Sequence, residues 1–294
     1  MAAWQSSVKG RYTDSAAGTL PIVGAWRQLL ILPRVAWSAA RAPRGRTAAW
    51  DAYWTSVDRG GAAGDVLWDA ATPRDLAWCR EQSVAHFDPA LPVVDVGCGN
   101  GTQALLLAGN FRTVVGVDVS AAAVALARRR VATAASGTSV SFQVFDVAAP
   151  GAGRALAETL ALGPVNVHLR GLLHILDDSQ RRTLVANLAD LVGRTGTVLL
   201  VETAFSGSPL RYLEHLGVGP RGFPDTVTRC LRAGIPVPRM FDRAELARWF
   251  TTDAWQVRSS GDVALDVVTP GAPTPITVVP GFYAVLRPRC PPER

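Results

Sequence analysis

The chain has 294 residues, 48% of them hydrophobic, which is enough for one large domain or for one domain with a substantial appendage. Its formal charge is +6, carried by arginines scattered along the sequence, and this pattern favours a solvated surface over a nucleic-acid-binding groove. The four cysteines form neither a CxxC pair nor a cluster with zinc spacing, so a zinc site is excluded and a reducing cytoplasm is the expected location.

The first predicted helix covers residues 20–41 and is interrupted near Pro33. Arg27, Arg34 and Arg41 recur every seven residues, so they would form one basic stripe on this helix. The charges and prolines exclude a membrane span, and the segment lacks the pattern of a signal peptide. We expect it to pack as a cap on the main domain, and contact with a membrane surface is the alternative.

Two further helices are predicted before the first strand. Trp50, Tyr53 and Trp54 have the spacing that places them on one face of the first of these helices. Thr72 is positioned to cap the second helix, at 73–86, which opens with a proline.

Strands and helices then alternate. The predicted strands are 93–96, 113–117, 139–145, 165–169 and 197–202, and the predicted helices are 102–109, 120–132, 154–161 and 178–192. Ser120 is expected to cap the second of these helices, and Asp178 the fourth. The alternation predicts a doubly wound, mostly parallel α/β sheet that is covered by helices on both faces.

The alternation fails at 205–239, a stretch rich in glycine, proline and arginine, which we interpret as a substrate-facing insertion. Asp242 is then expected to cap a helix that ends near Phe250. Two β-rich runs at 255–268 and 276–287 must pair antiparallel because only a short loop joins them. The predicted fold is therefore a seven-stranded sheet with an antiparallel C-terminal strand pair, preceded by an N-terminal helical cap.

The loop after the first predicted strand is the most informative segment. Asp95 is followed by Gly97, Gly99 and Gly101, and the second strand ends at Asp118. Glycines allow a ligand to lie against the backbone, and an acid at the end of the second strand can accept two hydrogen bonds from a ribose diol. The third glycine stands one position earlier than the dinucleotide fingerprint requires, so the loop predicts a cofactor without a pyrophosphate.

From Asp95 to Gly101 the sequence resembles the first motif of the class I S-adenosylmethionine-dependent methyltransferases, and the resemblance in element order covers residues 90–287. Asp118 matches the acid that holds the ribose hydroxyls, and Asp146 matches the residue that bonds the adenine amino group. The resemblance implies S-adenosyl-L-methionine as the cofactor, with Asp95 helping to fix its methionyl amino group. The residues assigned to the cofactor are Asp95, Gly97, Cys98, Gly99, Asn100, Gly101, Asp118, Val119, Asp146, Val147 and Arg170.

The carboxyl end of the fourth strand faces the expected cofactor cleft, and this brings two catalytic candidates, Arg170 and His174, close to the methyl group. Histidine titrates in the range of a general base, and the segment around His174 resembles the same region of small-molecule O-methyltransferases. Arg170 would orient an acidic substrate or pair with a neighbouring acid. His168 is expected to be a buried, hydrogen-bonded histidine. The pair Asp177 and Asp178 has too few companion oxygen ligands for a metal site, so no metal is expected.

Aromatic residues of the cap and polar or aromatic residues of the insertion are candidates for the substrate wall. They could stack on a flat substrate or lie near the sulfonium of the cofactor. For the cap residues, ordinary core packing is the alternative. The candidates are Trp50, Tyr53, Trp54, Trp68, Tyr212, His215 and Phe223, with Arg211 beside them.

The sequence therefore predicts a cap at 1–88 and a methyltransferase domain at 89–294. We expect a methyl group to be transferred by in-line displacement to oxygen or nitrogen of a small apolar or aromatic molecule. One alternative is an RNA or protein methyltransferase, although the end of the fourth strand lacks the Asn/Asp-Pro-Pro-aromatic motif of amino methylation in nucleic acids. Another alternative is a cofactor-binding partner subunit without catalytic activity.

Overall fold

The computed structural model describes residues 33, 35, 37, 40–59, 64–69, 71–133, 139–220, 222–269 and 275–289. Most of the helix predicted at 20–41, which was expected to pack as a cap with membrane contact as the alternative, lies outside these residues. The helices are α1 (Arg46–Thr55), α2 (Pro73–His86), α3 (Thr102–Ala108), α4 (Ala121–Thr133), α5 (Ala152–Leu160), α6 (Asp178–Val192), α7 (Pro209–His215), α8 (Asp225–Ala233) and α9 (Arg243–Trp249). The strands are β1 (Val93–Val96), β2 (Val114–Asp118), β3 (Val140–Val144), β4 (Asn166–Arg170), β5 (Val198–Thr203), β6 (Trp255–Val268) and β7 (Ile276–Pro288).

The seven strands form one sheet in the order β3-β2-β1-β4-β5-β7-β6. The first five strands are parallel, whereas β7 is antiparallel to both β5 and β6. The predicted doubly wound sheet with an antiparallel C-terminal pair is therefore confirmed. The strand order reverses between β1 and β4, and the carboxyl ends of these two neighbours form the crevice in which such sheets bind ligands.

Alternate residues of the central strands enter two separate cores. On one face, Val94, Val167 and Leu200 pack against Leu156 of α5 and Leu184 of α6. The opposite face packs against α3 and α4, with Val93, Val114, Leu107 and Val124 among the buried residues. Burial on both faces explains why β1, β2 and β5 are apolar almost throughout and do not alternate with polar residues.

Side-chain caps fix several helix starts, and one of them corrects the sequence prediction. Thr72 accepts a hydrogen bond from the backbone N–H of Asp75, as expected for the cap of α2. Ser120 accepts one from Ala123 at the start of α4. The cap of α6 is Asp177, not Asp178, because Asp177 and Gln180 form a reciprocal capping box. Asp178 is half-buried and instead pairs with Arg248 at 2.7 Å.

The segment at 205–239 contains α7 and α8, which lie above the carboxyl edge of the sheet. They form a third apolar cluster together with α1, with the segment that contains Val66 and Leu67, and with Val267 and Val279 at the far end of the β6–β7 hairpin. Asp51 of α1 ties this layer to the main fold, because it accepts hydrogen bonds from Ser120 and from the backbone of Ala122 at the start of α4. A carboxylate is favourable there because it faces the positive end of the helix dipole.

Candidate active site

A cavity opens at the carboxyl edge of the sheet, between the sheet and the third apolar cluster. It contains about 1350 Å³ of empty space, its open mouth included. Its wall on the β1–β2 side is formed by Gly97, Asp118, Val119, Phe145, Asp146, Val147 and Ala148.

The three glycines of the loop after β1 are required for different structural reasons. Gly97, Gly99 and Gly101 all have positive φ angles, of 74°, 52° and 80°. A side chain on Gly99 would come within 2.6 Å of the Trp54 ring, and one on Gly101 within 2.8 Å of Phe142. Only Gly97 among the three lines the cavity. Two of the glycines therefore serve to pack the loop against the protein, and only Gly97 fits the predicted role of admitting a ligand to the backbone.

Asp118 lies at the end of β2 with both carboxylate oxygens in use. Oδ2 accepts a hydrogen bond from the backbone N–H of Gly99 and Oδ1 accepts one from Ser120, each at 2.9 Å. Burial raises the pKa of Asp118 from 3.8 to about 6, and nearby Asp95 and Asp51 add to the increase, although the two N–H donors oppose it. Each oxygen keeps a second lone pair, so the ionised carboxylate can still accept hydrogen bonds from a ligand in the cavity.

Asp146 also lines the cavity, and it forms an ion pair with Arg46 of α1. Its other oxygen accepts a hydrogen bond from Ala148 at 2.9 Å. The sequence analysis missed Arg46, since nothing in the sequence links a residue in the cap to an acid 100 positions later. The remaining residues of the first motif lie behind the wall: Asp95, Cys98 and Asn100 are buried, and Asn100 is held by Asp69 at 2.5 Å.

His174 lines the cavity from the short 3₁₀ turn Leu173–Ile175 after β4. Its Nδ1 lies 2.6 Å from Oε2 of Glu202 and also accepts a hydrogen bond from the N–H of Thr203 at 3.3 Å. The carboxylate is therefore placed to stabilise a positive charge on the imidazole.

Glu202 is fully buried at the end of β5, and it fixes the backbone of the turn as well as the imidazole. Its carboxylate accepts hydrogen bonds from the N–H groups of Leu172, Leu173 and His174, at 3.1, 2.8 and 3.2 Å. Glu202 was not among the predicted site residues. Its place near the carboxyl end of a strand, like that of Asp118, was the signal that could have identified it.

Arg170, at the end of β4, lines the cavity and pairs with Asp75 of α2 at 2.7 Å. Of the two predicted roles, the structure places it in an ion pair with a neighbouring acid. His168, two residues earlier, is buried, as expected, and its Nδ1 lies 2.8 Å from Oδ1 of Asp95. Burial by itself lowers the pKa of His168, but Cys79 and Asp95 outweigh this effect and raise that pKa to about 10.

The rest of the cavity is an apolar chamber formed by α1, α7, α8, the segment after α8 and the end of β6. The predicted substrate residues Trp50, Trp54, Trp68 and Tyr212 line it. Tyr53 does not, because it is buried behind Trp68, on which its ring stacks at 4.9 Å. Aliphatic residues that the sequence did not single out complete the chamber: Leu67, Leu213, Leu216, Val227, Leu231, Ile235, Val237, Leu265 and Val267.

Three candidates of the insertion do not line the cavity. His215 is exposed, and its Nε2 lies 2.8 Å from the carbonyl oxygen of Val278. Phe223 is half-buried and packs against the third apolar cluster, and Arg211 is exposed. Position in sequence alone could not separate these residues from Tyr212, because one turn of a short helix decides which of them faces inward.

Two further features of the described residues bear on function. No group of three or more histidines, cysteines, aspartates and glutamates in this part of the chain is arranged to hold a metal ion. Among the helices that the structure describes, none has the length and apolar composition to cross a membrane.

Comparisons with known proteins agree with this geometry. Residues 93–196 match the model of a family described as a methyltransferase domain. An S-adenosylmethionine-dependent methyltransferase from Anabaena variabilis superimposes with a TM-score of 0.70 at 24% identity, covering 85% of this chain and 97% of its own. A structure described as the conversion of a disulfide bond into a thioacetal group during echinomycin biosynthesis gives 0.60 at 20% identity, with 83% and 93% covered. A methyltransferase from Methanosarcina mazei gives 0.50 at 16% identity, with 69% and 95% covered. No curated protein matches the sequence.

Residues 93–196 are therefore a methyltransferase domain by this match, and the described fold is the α/β fold of the superimposed methyltransferases. S-adenosyl-L-methionine is the cofactor that the matched domain implies. The site fits this group, since Gly97 presents bare backbone to the cavity and the carboxylates of Asp118 and Asp146 both belong to its wall.

Proposed function

We propose that this methyltransferase acts on a small apolar or aromatic molecule, by transfer to an oxygen or nitrogen that carries a proton. The observation that carries the proposal is the His174–Glu202 pair in the wall of the apolar chamber, with Nδ1 of the imidazole 2.6 Å from the carboxylate. His174 would take the acceptor's proton, and Glu202 would stabilise the imidazolium that results.

Bound S-adenosyl-L-methionine supplies an activated methyl group on a sulfonium, so the protein has to orient the acceptor, exclude water and remove one proton. Of the predicted cofactor residues, Asp118 would hold the ribose hydroxyls and Asp146 the adenine, with Gly97, Val119 and Val147 as the surrounding wall. Arg170 would act through its ion pair with Asp75 as a fixed part of this wall.

The charges around the cavity support a small, uncharged acceptor over RNA or protein. Its two arginines are each paired with an acid, Arg46 with Asp146 and Arg170 with Asp75. The apolar chamber offers aromatic rings and aliphatic side chains, whereas an RNA-binding groove needs cations that are free to meet phosphates. Three free, buried cysteines among the described residues, Cys79, Cys98 and Cys230, are compatible with the cytoplasm as the proposed location.

The test is a transfer assay with S-adenosylmethionine labelled in its methyl group. Neutral phenols and naphthols, a short RNA and a peptide mixture are offered in parallel, and we expect label in the apolar small molecules. Leu231→Trp, which fills the apolar chamber, should abolish that transfer without weakening S-adenosylhomocysteine binding, whereas Trp at the exposed neighbouring Arg232 should change neither. Label in RNA or peptide alone would contradict the proposal.

Cofactor binding should depend on pH through Asp118. Its pKa of about 6 means that the carboxylate is protonated, and loses acceptor capacity, at lower pH. Affinity for S-adenosylhomocysteine should therefore fall about tenfold for each pH unit below 6 and level off above 7. Because this pKa is raised on folding, the unliganded protein should lose stability from Asp118 as the pH rises from about 4 through 6.

Calorimetric titrations between pH 5 and 8 measure this effect. Asp118→Asn serves as the matched control, since the amide cannot titrate and its weaker binding should not vary over the same range. An equal pH dependence in the wild type and in Asp118→Asn would assign the titration to another group.

A further inference from the structure

A chain of three buried polar side chains, Cys79–His168–Asp95, lies beneath the cavity and has no part in the proposed methyl transfer. Asp95 and His168 are cross-strand partners on β1 and β4. His168 Nδ1 lies 2.8 Å from Asp95 Oδ1, and His168 Nε2 lies 3.6 Å from Cys79 Sγ on α2. Each of the three residues is at most 2% exposed.

The order cysteine, histidine, aspartate is that of a nucleophilic triad, but the surroundings do not fit this chemistry. The cavity is lined by none of the three residues, and Cys79 is enclosed between α2 and the sheet. An attacking thiol has to reach its substrate. The Cys79–His168–Asp95 chain is therefore not a nucleophilic triad, and its role has to be sought in the group at its other end, Asp95.

The second carboxylate oxygen of Asp95 indicates the role of this chain. Oδ2 is buried and has no hydrogen-bond partner among the described residues, whereas both oxygens of Asp118 and of Asp146 are engaged. A buried acceptor without a partner costs about 1–3 kcal/mol, which a bound donor recovers. An ionised carboxylate oxygen of this kind fits a cationic donor such as an ammonium group.

The position of Asp95 fits a ligand in the cavity. Gly97 and Arg170 both line the cavity, and they stand two residues after Asp95 and His168 on the same strands. The Asp95–His168 pair is therefore one strand step below the cavity wall, at the reversal of strand order between β1 and β4. Gly97 has no side chain to cover it.

We propose that His168 and Cys79 are positioning residues, which hold Asp95 so that its free Oδ2 receives the amino group of the cofactor's methionyl moiety. This inference deepens the cofactor side of the proposed function and does not depend on the acceptor. Arg170, one strand step above His168, is held by Asp75, four residues before Cys79, so α2 supplies a partner to both of these residues of β4.

The charge on His168 explains why a histidine is needed there. A charge buried as deeply as that of Asp95 is costly unless an opposite charge lies beside it. Cys79 and Asp95 outweigh burial and raise the pKa of His168, so the imidazolium is the stable form at neutral pH and places a positive charge 2.8 Å from Asp95. The resulting pair is neutral as a unit and still presents one carboxylate oxygen.

The test compares two ligands, of which only one has the amino acid moiety of the cofactor. S-adenosylhomocysteine carries the amino acid moiety, and 5′-methylthioadenosine has the same adenosine and thioether sulfur without it. In calorimetric titrations, His168→Gln should weaken S-adenosylhomocysteine about 10- to 100-fold and leave 5′-methylthioadenosine unchanged. Ser83→Ala is the matched control, because Ser83 is buried on α2 and bonds the Cys79 carbonyl but does not touch the imidazole. It should leave both affinities unchanged.

If His168→Gln does not fold, two smaller substitutions at Cys79 test whether the chain positions Asp95. Cys79→Ala removes one atom and should weaken only S-adenosylhomocysteine, about 2- to 10-fold, and Cys79→Ser should restore its binding. Equal losses for both ligands, or no loss for S-adenosylhomocysteine in a folded variant, would overturn the proposal. Wild-type protein that binds neither ligand would instead contradict cofactor binding itself, so the two failures are distinguishable.

Discussion

Replacing His174 by alanine is expected to lower the rate of methyl transfer about 10²- to 10⁴-fold, which is the usual contribution of a positioned general base. The affinity for S-adenosylhomocysteine should stay near its wild-type value, because His174 takes its proton from the acceptor and is not among the residues proposed to hold the cofactor. The measurement is the rate of S-adenosylhomocysteine formation with the best neutral phenol from the acceptor assay.

His215→Ala is the matched control for this variant. His215 is an exposed histidine outside the cavity, so its loss should leave turnover unchanged. If His174→Ala retained full turnover, the assignment of His174 as the base would be wrong. A large loss of S-adenosylhomocysteine affinity would indicate that His174 shapes the cofactor wall.

Glu202→Ala is expected to affect stability and catalysis together. It leaves the N–H groups of Leu172, Leu173 and His174 without their acceptor, and each buried donor without a partner costs about 1–3 kcal/mol. The free energy of unfolding should therefore fall by about 3 kcal/mol or more, as measured by urea denaturation. Turnover should also drop, because the imidazolium that forms on His174 loses the carboxylate 2.6 Å from its Nδ1.

Glu202→Gln separates the two effects. The amide oxygen can still accept the hydrogen bonds of Leu172 and Leu173, so the loss of stability should be smaller than for alanine, about 1–3 kcal/mol. Turnover should remain low, because an amide cannot stabilise an imidazolium as a carboxylate does. Glu214→Gln, at an exposed position of α7, is the control that should change neither property. Full turnover in Glu202→Gln would show that the negative charge is not needed.

Local signals in the sequence were sufficient to predict the sheet and the site residues at its carboxyl edge. Asp118 ends β2 and Asp146 follows the end of β3 by two residues, so the topology alone brings them to one edge of the sheet. The turn after β4 places His174 at the same edge. Helix starts depend on finer geometry. Asp178 was the expected cap of α6, but the reciprocal bond with Gln180 selects its neighbour Asp177.

The rest of the site depends on contacts between distant segments. Arg46 reaches Asp146 across 100 positions, and the apolar chamber combines α1, α7, α8 and the end of β6. An amphipathic helix pattern identifies which residues are buried, but not whether they face a core or a cavity. Tyr53 and Trp54 are neighbours on one helix, and only Trp54 lines the cavity.

The packing of Trp54 on Gly99 has a consequence for how this enzyme can be divided or recombined. Asp69 holds Asn100, Asp51 holds Ser120, and Trp54 fills the space where a side chain on Gly99 would lie. A fragment that began at residue 89 would keep the glycines and the acids of the cofactor motif but would lose all three of these supports. Chimeras made with other methyltransferases should therefore exchange α1 and the glycine loop as one inherited unit, because a larger residue at 99 is acceptable only if the tryptophan at 54 changes with it.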